Sequence, residues 1–273
     1  MIYQYVQPDQ TLGEFVRDYL VAHFLFAKDQ PVPFKPYSPK PEQTLTFLVR
    51  GSLTLIDPLT GAKESTSAIS ICGQQVARKN FHISPEYLMV RIHFHPGALY
   101  RLLGIPLLEF TDRWFDASSV INREIMEVND RLANCSSYEE MISVIELWLT
   151  GRIRQVRTDP HRLDKVAACI LANPSSSIDW LAGQSCLCER QFHRKFKERM
   201  GVSPKLYSRI VRFYRAYQYK ETHPMESWLS IALLFGYTDY QHMAKDFREF
   251  ALAAPNSWID EDNQSPERIL QLE

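Results

Sequence analysis

The sequence predicts an α+β chain. A small antiparallel β-barrel with flanking helices comes first, then an all-α region of two helix-turn-helix units joined by a long helix. Three observations lead there. Residues 177–258 carry one short pattern twice: an apolar-Ala pair, a tight turn, an amphipathic stretch and a closing proline. Upstream, short β-branched and apolar runs alternate with turn residues, the spacing of a small barrel or sandwich. Charge is also unevenly divided. Residues 161–258 hold 14 Lys and Arg against 9 Asp and Glu, whereas residues 259–273 hold 1 against 5.

Taken in order, Leu12 to Ala27 is an amphipathic, aromatic-rich opening. Pro31, Pro33, Pro36, Pro39 and Pro41 follow, and proline fits neither a helix interior nor a central strand, so this segment reads as a surface crossing. Strands are expected at Thr44 to Arg50, Leu53 to Ile56, Ala68 to Cys72 and Tyr87 to Phe94, with turns at Gly51 and Thr60-Gly61. A short helix begins at Pro96 and stops at Gly104. Two longer helices are expected, Ser118 to Ala133 and Ser137 to Ile153, the second with Ser137 as N-cap and Glu140 completing a capping box. Its stripe of Met141, Val144, Ile145 and Trp148 suits either the core or a homodimer seam. Gln155 to Pro160 reads as a linker.

The first copy of the repeat runs from Leu181-Ala182 through Glu189 to Met200 and closes at Gly201-Val202-Ser203-Pro204. The second runs from Ile231-Ala232 and Phe235-Gly236-Tyr237 through Asp239 to Phe250 and closes at Ala254-Pro255. Leu187, Phe192, Phe196 and Met200 form one apolar stripe; Met243, Phe247 and Phe250 form the other. The opposite face of the first amphipathic helix carries Arg190, His193, Arg194 and Lys197. A short helix packed behind an exposed basic one is the helix-turn-helix arrangement, whose second helix can enter a DNA major groove. Between the copies, Pro204 to Glu221 forms a helix of roughly 27 Å. With the flanking units this approaches the ~34 Å repeat of B-DNA, so one chain could read two successive major-groove turns.

Composition excludes several classes. With 45% hydrophobic and 23% charged residues the chain is neither disordered nor low-complexity, and its 273 residues suffice for two cores. No run of 18 apolar residues is present, and the N-terminus has neither a basic nor an apolar signal region, so neither a membrane span nor a secretory leader is expected. Cys72, Cys135, Cys169, Cys186 and Cys188 form no zinc or disulfide framework, which suits reduced thiols in the cytoplasm. The net charge of +5 over residues 161–258 is what phosphate neutralisation requires. His93 and His95 alternate along a strand and, with His82, could ligate a metal. No phosphate loop, nucleophile elbow or supported carboxylate pair accompanies them.

Residues 161–258 resemble the DNA-binding domain of the AraC/XylS family of bacterial transcription regulators. The matching residues are Leu181-Ala182, Phe192 with Phe196-Lys197, Gly201-Val202-Ser203-Pro204 with Tyr207, Ile231-Ala232 with Phe235-Gly236-Tyr237, and Phe247-Arg248. Phe94, Pro96-Gly97-Ala98 and the following Leu-rich helix are similar to the end of the cupin-like sensor barrel in one branch of that family. The resemblance implies a cupin-like sensor or dimerisation domain over 1–157, a DNA-binding domain over 161–258 and an acidic tail over 259–273. It places Arg190, His193 and Arg194, then Tyr240, Gln241, His242 and Lys245, at base edges, with Lys197 and Arg248 at phosphates. Double-stranded DNA is the implied partner. A small-molecule effector in the barrel, a homodimer and, for an activator, RNA polymerase are options that the sequence leaves open. No cofactor, metal, membrane partner or catalytic residue is expected. A metal-dependent cupin-type enzyme fused to a DNA-binding module is the alternative, although that metal pattern wants a Glu soon after the His pair and the next acid is Glu109. A constitutive DNA-binding protein whose barrel only dimerises is another. The first unit departs from the family pattern at its turn, where Cys186 replaces a glycine and Cys188 a hydroxyl N-cap. A redox pair there is conceivable, but the spacing disfavours a relaxed disulfide.

Overall fold

A computed structural model describes residues 1–27, 29–156 and 160–272. Its ten strands are β1 (Ile2–Val6), β2 (Val16–Leu25), β3 (Lys35–Tyr37), β4 (Thr44–Arg50), β5 (Leu53–Ile56), β6 (Lys63–Ser65), β7 (Ile69–Cys72), β8 (Lys79–Ile83), β9 (Glu86–Phe94) and β10 (Trp114–Asp116). They form two antiparallel sheets, six-stranded in the order β1-β2-β9-β4-β7-β10 and four-stranded in the order β3-β8-β5-β6. The helices are α1 (Ala98–Leu103), α2 (Glu124–Ala133), α3 (Tyr138–Ile153), α4 (Arg162–Ala172), α5 (Ile178–Ser185), α6 (Glu189–Met200), α7 (Pro204–Thr222), α8 (Trp228–Leu234), α9 (Tyr240–Phe250), α10 (Pro255–Asp262) and α11 (Pro266–Ile269). An antiparallel β region followed by a helical region with two helix-turn-helix units is the predicted α+β layout.

The four strands read from the sequence are present as β4, β5, β7 and β9. The opening amphipathic stretch is mostly β2, which lies between β1 and β9. Tyr19, Leu20, Val21 and Ala22 are all buried there, because one face of the strand meets the helices and the other meets the second sheet. The proline segment is not a surface crossing. Pro36, Tyr37, Ser38 and Pro39 are buried, and β3 is an edge strand, where a missing amide donor is tolerated.

Helices α2 and α3 cover the six-stranded sheet. The stripe on α3 is core: Met141 and Ile145 are buried and Trp148 meets Phe47 edge-on at 6.1 Å. Ser137 Oγ accepts from the Glu140 amide as expected, but Glu140 reaches back one residue further, to the Ser136 amide at 2.7 Å. The helix expected from Ser118 starts only at Glu124. Asp116 holds the Ser118 amide in a short 3-10 turn over Ala117–Ser119, and Ile121 inserts into the core before the helix begins. Of the linker expected over Gln155–Pro160, with the boundary at 157, residues 157–159 lie outside the described residues. Beyond residue 259 the acidic stretch is folded rather than a solvated tail. It completes α10, anchored by Trp258 at 1% exposure, and continues into α11. Among the described residues no helix is long and apolar enough to cross a membrane.

Candidate nucleic-acid interface

The first unit consists of α5 and α6 packed on α4. Phe192, Phe196 and Met200 are fully buried, so the opposite face of α6 is left to solvent. Arg190, Arg194 and Lys197 are exposed and His193 is half-buried. Arg194 donates to Glu198 one turn on at 2.8 Å. An exposed pair of that kind contributes about 0.3–0.5 kcal/mol, so a phosphate or base edge can replace it.

The turn of this unit carries both expected departures. Cys186 has φ 54° and ψ 34°, the left-handed conformation that glycine adopts without strain. Cys188 occupies the N-cap of α6 and makes no side-chain hydrogen bond to the helix. The capping residues of α5, α7, α8 and α9, Ser177, Ser203, Ser227 and Asp239, each accept a helix amide. Cys188→Ser is therefore expected to stabilise the protein by about 1 kcal/mol, the ordinary contribution of an N-cap hydroxyl. A thermal melt checks this; an unchanged or lower midpoint would show that the cap is already satisfied.

The second unit is α8 and α9, with Met243, Phe247 and Phe250 buried. Asp239 caps α9 by accepting the His242 amide at 2.8 Å. Gln241, Lys245 and Arg248 are exposed. Tyr240 is half-buried against the core of the unit. His242 turns Nδ1 toward Thr238 Oγ1 at 3.3 Å and packs edge-on against Tyr237, so one of its ring nitrogens is engaged within the protein. The turn departs from glycine at its far end too: Leu252 takes φ 56°. Gly236, at φ +74°, is required, because a Cβ there would lie 2.2 Å from Ser175 Oγ in the first unit.

Charge counted along the sequence misstates both helices. Arg199 of α6 does not face outward. It is 6% exposed, donates two hydrogen bonds to Asp164 of α4 at 2.7 and 2.6 Å, and lies over the Tyr100 ring. Asp246 of α9 is 1% exposed, accepts from Arg209 of α7 at 2.6 Å and from the Tyr237 hydroxyl at 3.1 Å. Arg209 also donates to Glu249 at 2.5 Å; the Glu249 and Asp246 carboxylates raise its pKa, and its guanidinium in turn lowers that of Glu249. Two acids of α9 are thus balanced by a cation of the connecting helix. Lys205, Arg209 and Arg212 of α7 share one face and, with Ser175, His242 and Lys245, line a groove of about 660 Å³ between the units. Their i, i+4, i+7 spacing was the available signal for this cationic face in the sequence.

Both units are fastened to the β region. Gln43 Nε2 donates to the Arg199 carbonyl at 3.3 Å, and Thr111 Oγ1 donates to the Gly201 carbonyl at 2.8 Å. Gly201 is at φ +83°, and a Cβ there would meet Thr111 Oγ1 at 2.7 Å. On the second unit, Arg78 donates to the Ala251 carbonyl at 2.8 Å and pairs with Glu261.

Inside the β region lies a polar cluster. Arg91 Nη1 donates to the Tyr37 hydroxyl at 2.8 Å, and Tyr37 donates to Glu42. His93 Nδ1 lies 2.5 Å from Asp18 Oδ1, with Nε2 3.5 Å from Glu42. Burial by itself would raise the Glu42 pKa; His93, Lys40, Arg91 and Arg17 overcome it and hold the carboxyl down at about 2. His82 is on the other sheet, stacked on Phe34, and His95 lies past the end of β9. The three histidines singled out in the sequence are therefore not one ligand set. Among the described residues no group of three His, Cys, Asp or Glu could hold a metal ion. The acids that meet His93 come from β2 and from the loop before β4, far from it in sequence.

Residues 181–261 match the family model of a helix-turn-helix domain, and residues 4–116 match one described as a domain of unknown function (DUF6597). No curated protein matches the chain. Among solved structures, ToxT from Vibrio cholerae overlaps 91% of this chain and 98% of its own at 12% identity, with a TM-score of 0.47. ToxT from the same organism with an unsaturated fatty acid bound overlaps 88% of this chain and 94% of its own at 14% identity, also at 0.47. Two helix-turn-helix units on one connecting helix, each presenting an exposed helix with cationic and polar side chains, define a DNA-binding transcription regulator. The helix-turn-helix match runs from α5 to α10 and assigns that class of domain to this part of the chain.

Proposed function

We propose that α6 and α9 enter successive major-groove segments of one duplex and that α7 sets their separation. Arg190, His193 and Arg194 read base edges from the first helix, and Gln241 and Lys245 do so from the second, with Tyr240 and His242 at its start. Arginine can bind guanine bidentately and glutamine adenine. Lys197 and Arg248 contact phosphate. The observation that carries this reading is the pair of buried stripes, which leaves Arg190, Arg194 and Lys197 exposed in the first unit and Gln241, Lys245 and Arg248 in the second. The DNA-binding domain spans 161–258, and a sensor or dimerisation domain spans 1–157. A small-molecule effector in the β region is part of the proposal, supported by the polar groups of Tyr37, Lys40, Arg91 and His93 that are gathered in its interior. Homodimerisation and, for an activator, contact with RNA polymerase complete it. The protein acts in the cytoplasm as a regulator, not an enzyme.

The test selects bound sequences from a random DNA pool with the full chain, then titrates salt on a selected duplex. Each phosphate contact adds about −0.9 to the slope of log affinity against log salt, so Lys197 and Arg248 alone give about −2 and any further basic contact steepens it. Affinity that ignores salt, or a pool that yields no common sequence, overturns the reading.

A further inference from the structure

The acidic stretch after residue 259 carries 5 Asp and Glu against 1 Arg and should stay in water, yet part of it is buried. Glu267 is 1% exposed and forms an ion pair with Lys35 on β3. Ser265 is fully buried. Leu270 and Leu272 pack on the apolar interior formed by Leu20, Phe24, Tyr37, Phe81, Tyr87 and Met89. A buried carboxylate is costly unless it is paired, so its position here depends on Lys35.

The volumes on either side of this segment show what it does. The cavity beneath it, in the β region, is about 40 Å³ and is closed in part by Pro266 and Glu267. At roughly 10–15 Å³ per water it holds a few waters, far short of the ~300–1,000 Å³ of a small-molecule site. A pocket of about 340 Å³ lies on the other side, against α7. The two share Tyr3, Tyr5, Lys35, Lys40 and Glu267 in their linings. Glu267 stands between them, with Pro266 lining the inner cavity and Arg268 the outer pocket, and movement of this turn would join the two into one site with an aromatic wall and two lysines.

We propose that residues 265–272 are a built-in occupant of this site, with the Glu267 carboxylate holding the place of a ligand's acid against Lys35. The ligand class is a monoanion with an aromatic or aliphatic body, which displaces Glu267 and the two leucines together. The segment is also tied to the DNA-binding half. Arg268 pairs with Glu221 at the end of α7 and lies 3.5 Å from Asp262 of α10, whose carboxylate accepts from the Tyr217 hydroxyl of α7 at 2.6 Å. Arg78 lies over the Trp258 ring of α10. Displacement would therefore loosen the end of α7 beside the second reading unit. This deepens the effector reading given above and rests on it, but its test uses no DNA, so the two can fail separately.

The probes are 8-anilinonaphthalene-1-sulfonate and its uncharged analogue N-phenyl-1-naphthylamine, titrated by fluorescence against the full chain. Closure of the site lowers apparent affinity by the fraction of molecules that are open, so Glu267→Gln is expected to bind the sulfonate about ten-fold or more tightly than the unaltered protein. Adding Lys35→Gln should remove the advantage of the sulfonate over the neutral probe. Equal affinity in the unaltered protein and Glu267→Gln, with circular dichroism unchanged, overturns the proposal; so does a preference for the neutral probe. If Glu267→Gln fails to fold, hydrogen exchange on the unaltered chain decides. Saturating sulfonate must speed amide exchange in residues 265–272 and leave β4 protected, and no change in 265–272 overturns the proposal.

Discussion

Replacing Glu42 by alanine is expected to destabilise the β region by about 3–5 kcal/mol, the cost of removing one partner from a buried charge network. Arg91 is 4% exposed, and its guanidinium reaches Glu42 through the Tyr37 hydroxyl. His93, at 2% exposure, faces the same carboxylate. Without Glu42 these cationic and polar groups stay desolvated with less to balance them. Glu42→Gln keeps the shape and an acceptor for Tyr37, so it should cost less than the alanine change. Urea unfolding of the three proteins at neutral pH checks the order. The same carboxylate sets a pH dependence. Its folded pKa of about 2 lies below its ordinary 4.5. The folded state thus binds fewer protons, so the contribution is fully present above about 4.5 and is lost as pH falls toward 2. Stability should decline more steeply across that window in the unaltered protein than in Glu42→Gln. Parallel declines would remove Glu42 from the account.

Arg194→Ala is expected to cost about 1–3 kcal/mol of DNA affinity on a selected site and to relax preference at one base position. Lys197→Ala should instead weaken all duplexes about equally and reduce the salt slope by about 1. Arg194 can make this contact because it is exposed and its ion pair, with Glu198 on its own helix, lies at the surface. Gln241→Ala should matter less than Arg194→Ala, since α9 presents fewer free cations than α6. The gap between the helices is expected to be smaller than bare charge implies. Arg199 is withdrawn from the basic face of α6, and Arg209 offsets both Asp246 and Glu249 on α9. Affinities on the selected duplex and its single-base variants separate these cases. If Lys197→Ala changed base preference while Arg194→Ala weakened all sequences alike, the two roles would be exchanged.

Much of the DNA-binding half was legible from the chain alone. The Phe192, Phe196, Met200 and Met243, Phe247, Phe250 stripes, the Pro204 start of α7, the missing glycine at Cys186 and the missing cap at Cys188 are all local. Helical period, turn geometry and capping act over three to seven residues, so a sequence carries them directly. The strand identity of residues 16–25 was hidden because both faces of β2 are buried, which erases the alternation that marks a half-exposed strand. The roles of charged residues were hidden for another reason. Arg199 meets Asp164 from 35 positions away and Arg209 meets Asp246 from 37, and no spacing rule links such pairs. Whether a cation faces DNA, a neighbouring helix or the barrel depends on which elements pack beside it. For Lys35 and Glu267, at opposite ends of the chain, that was decided only when the C-terminal segment folded back over the β region.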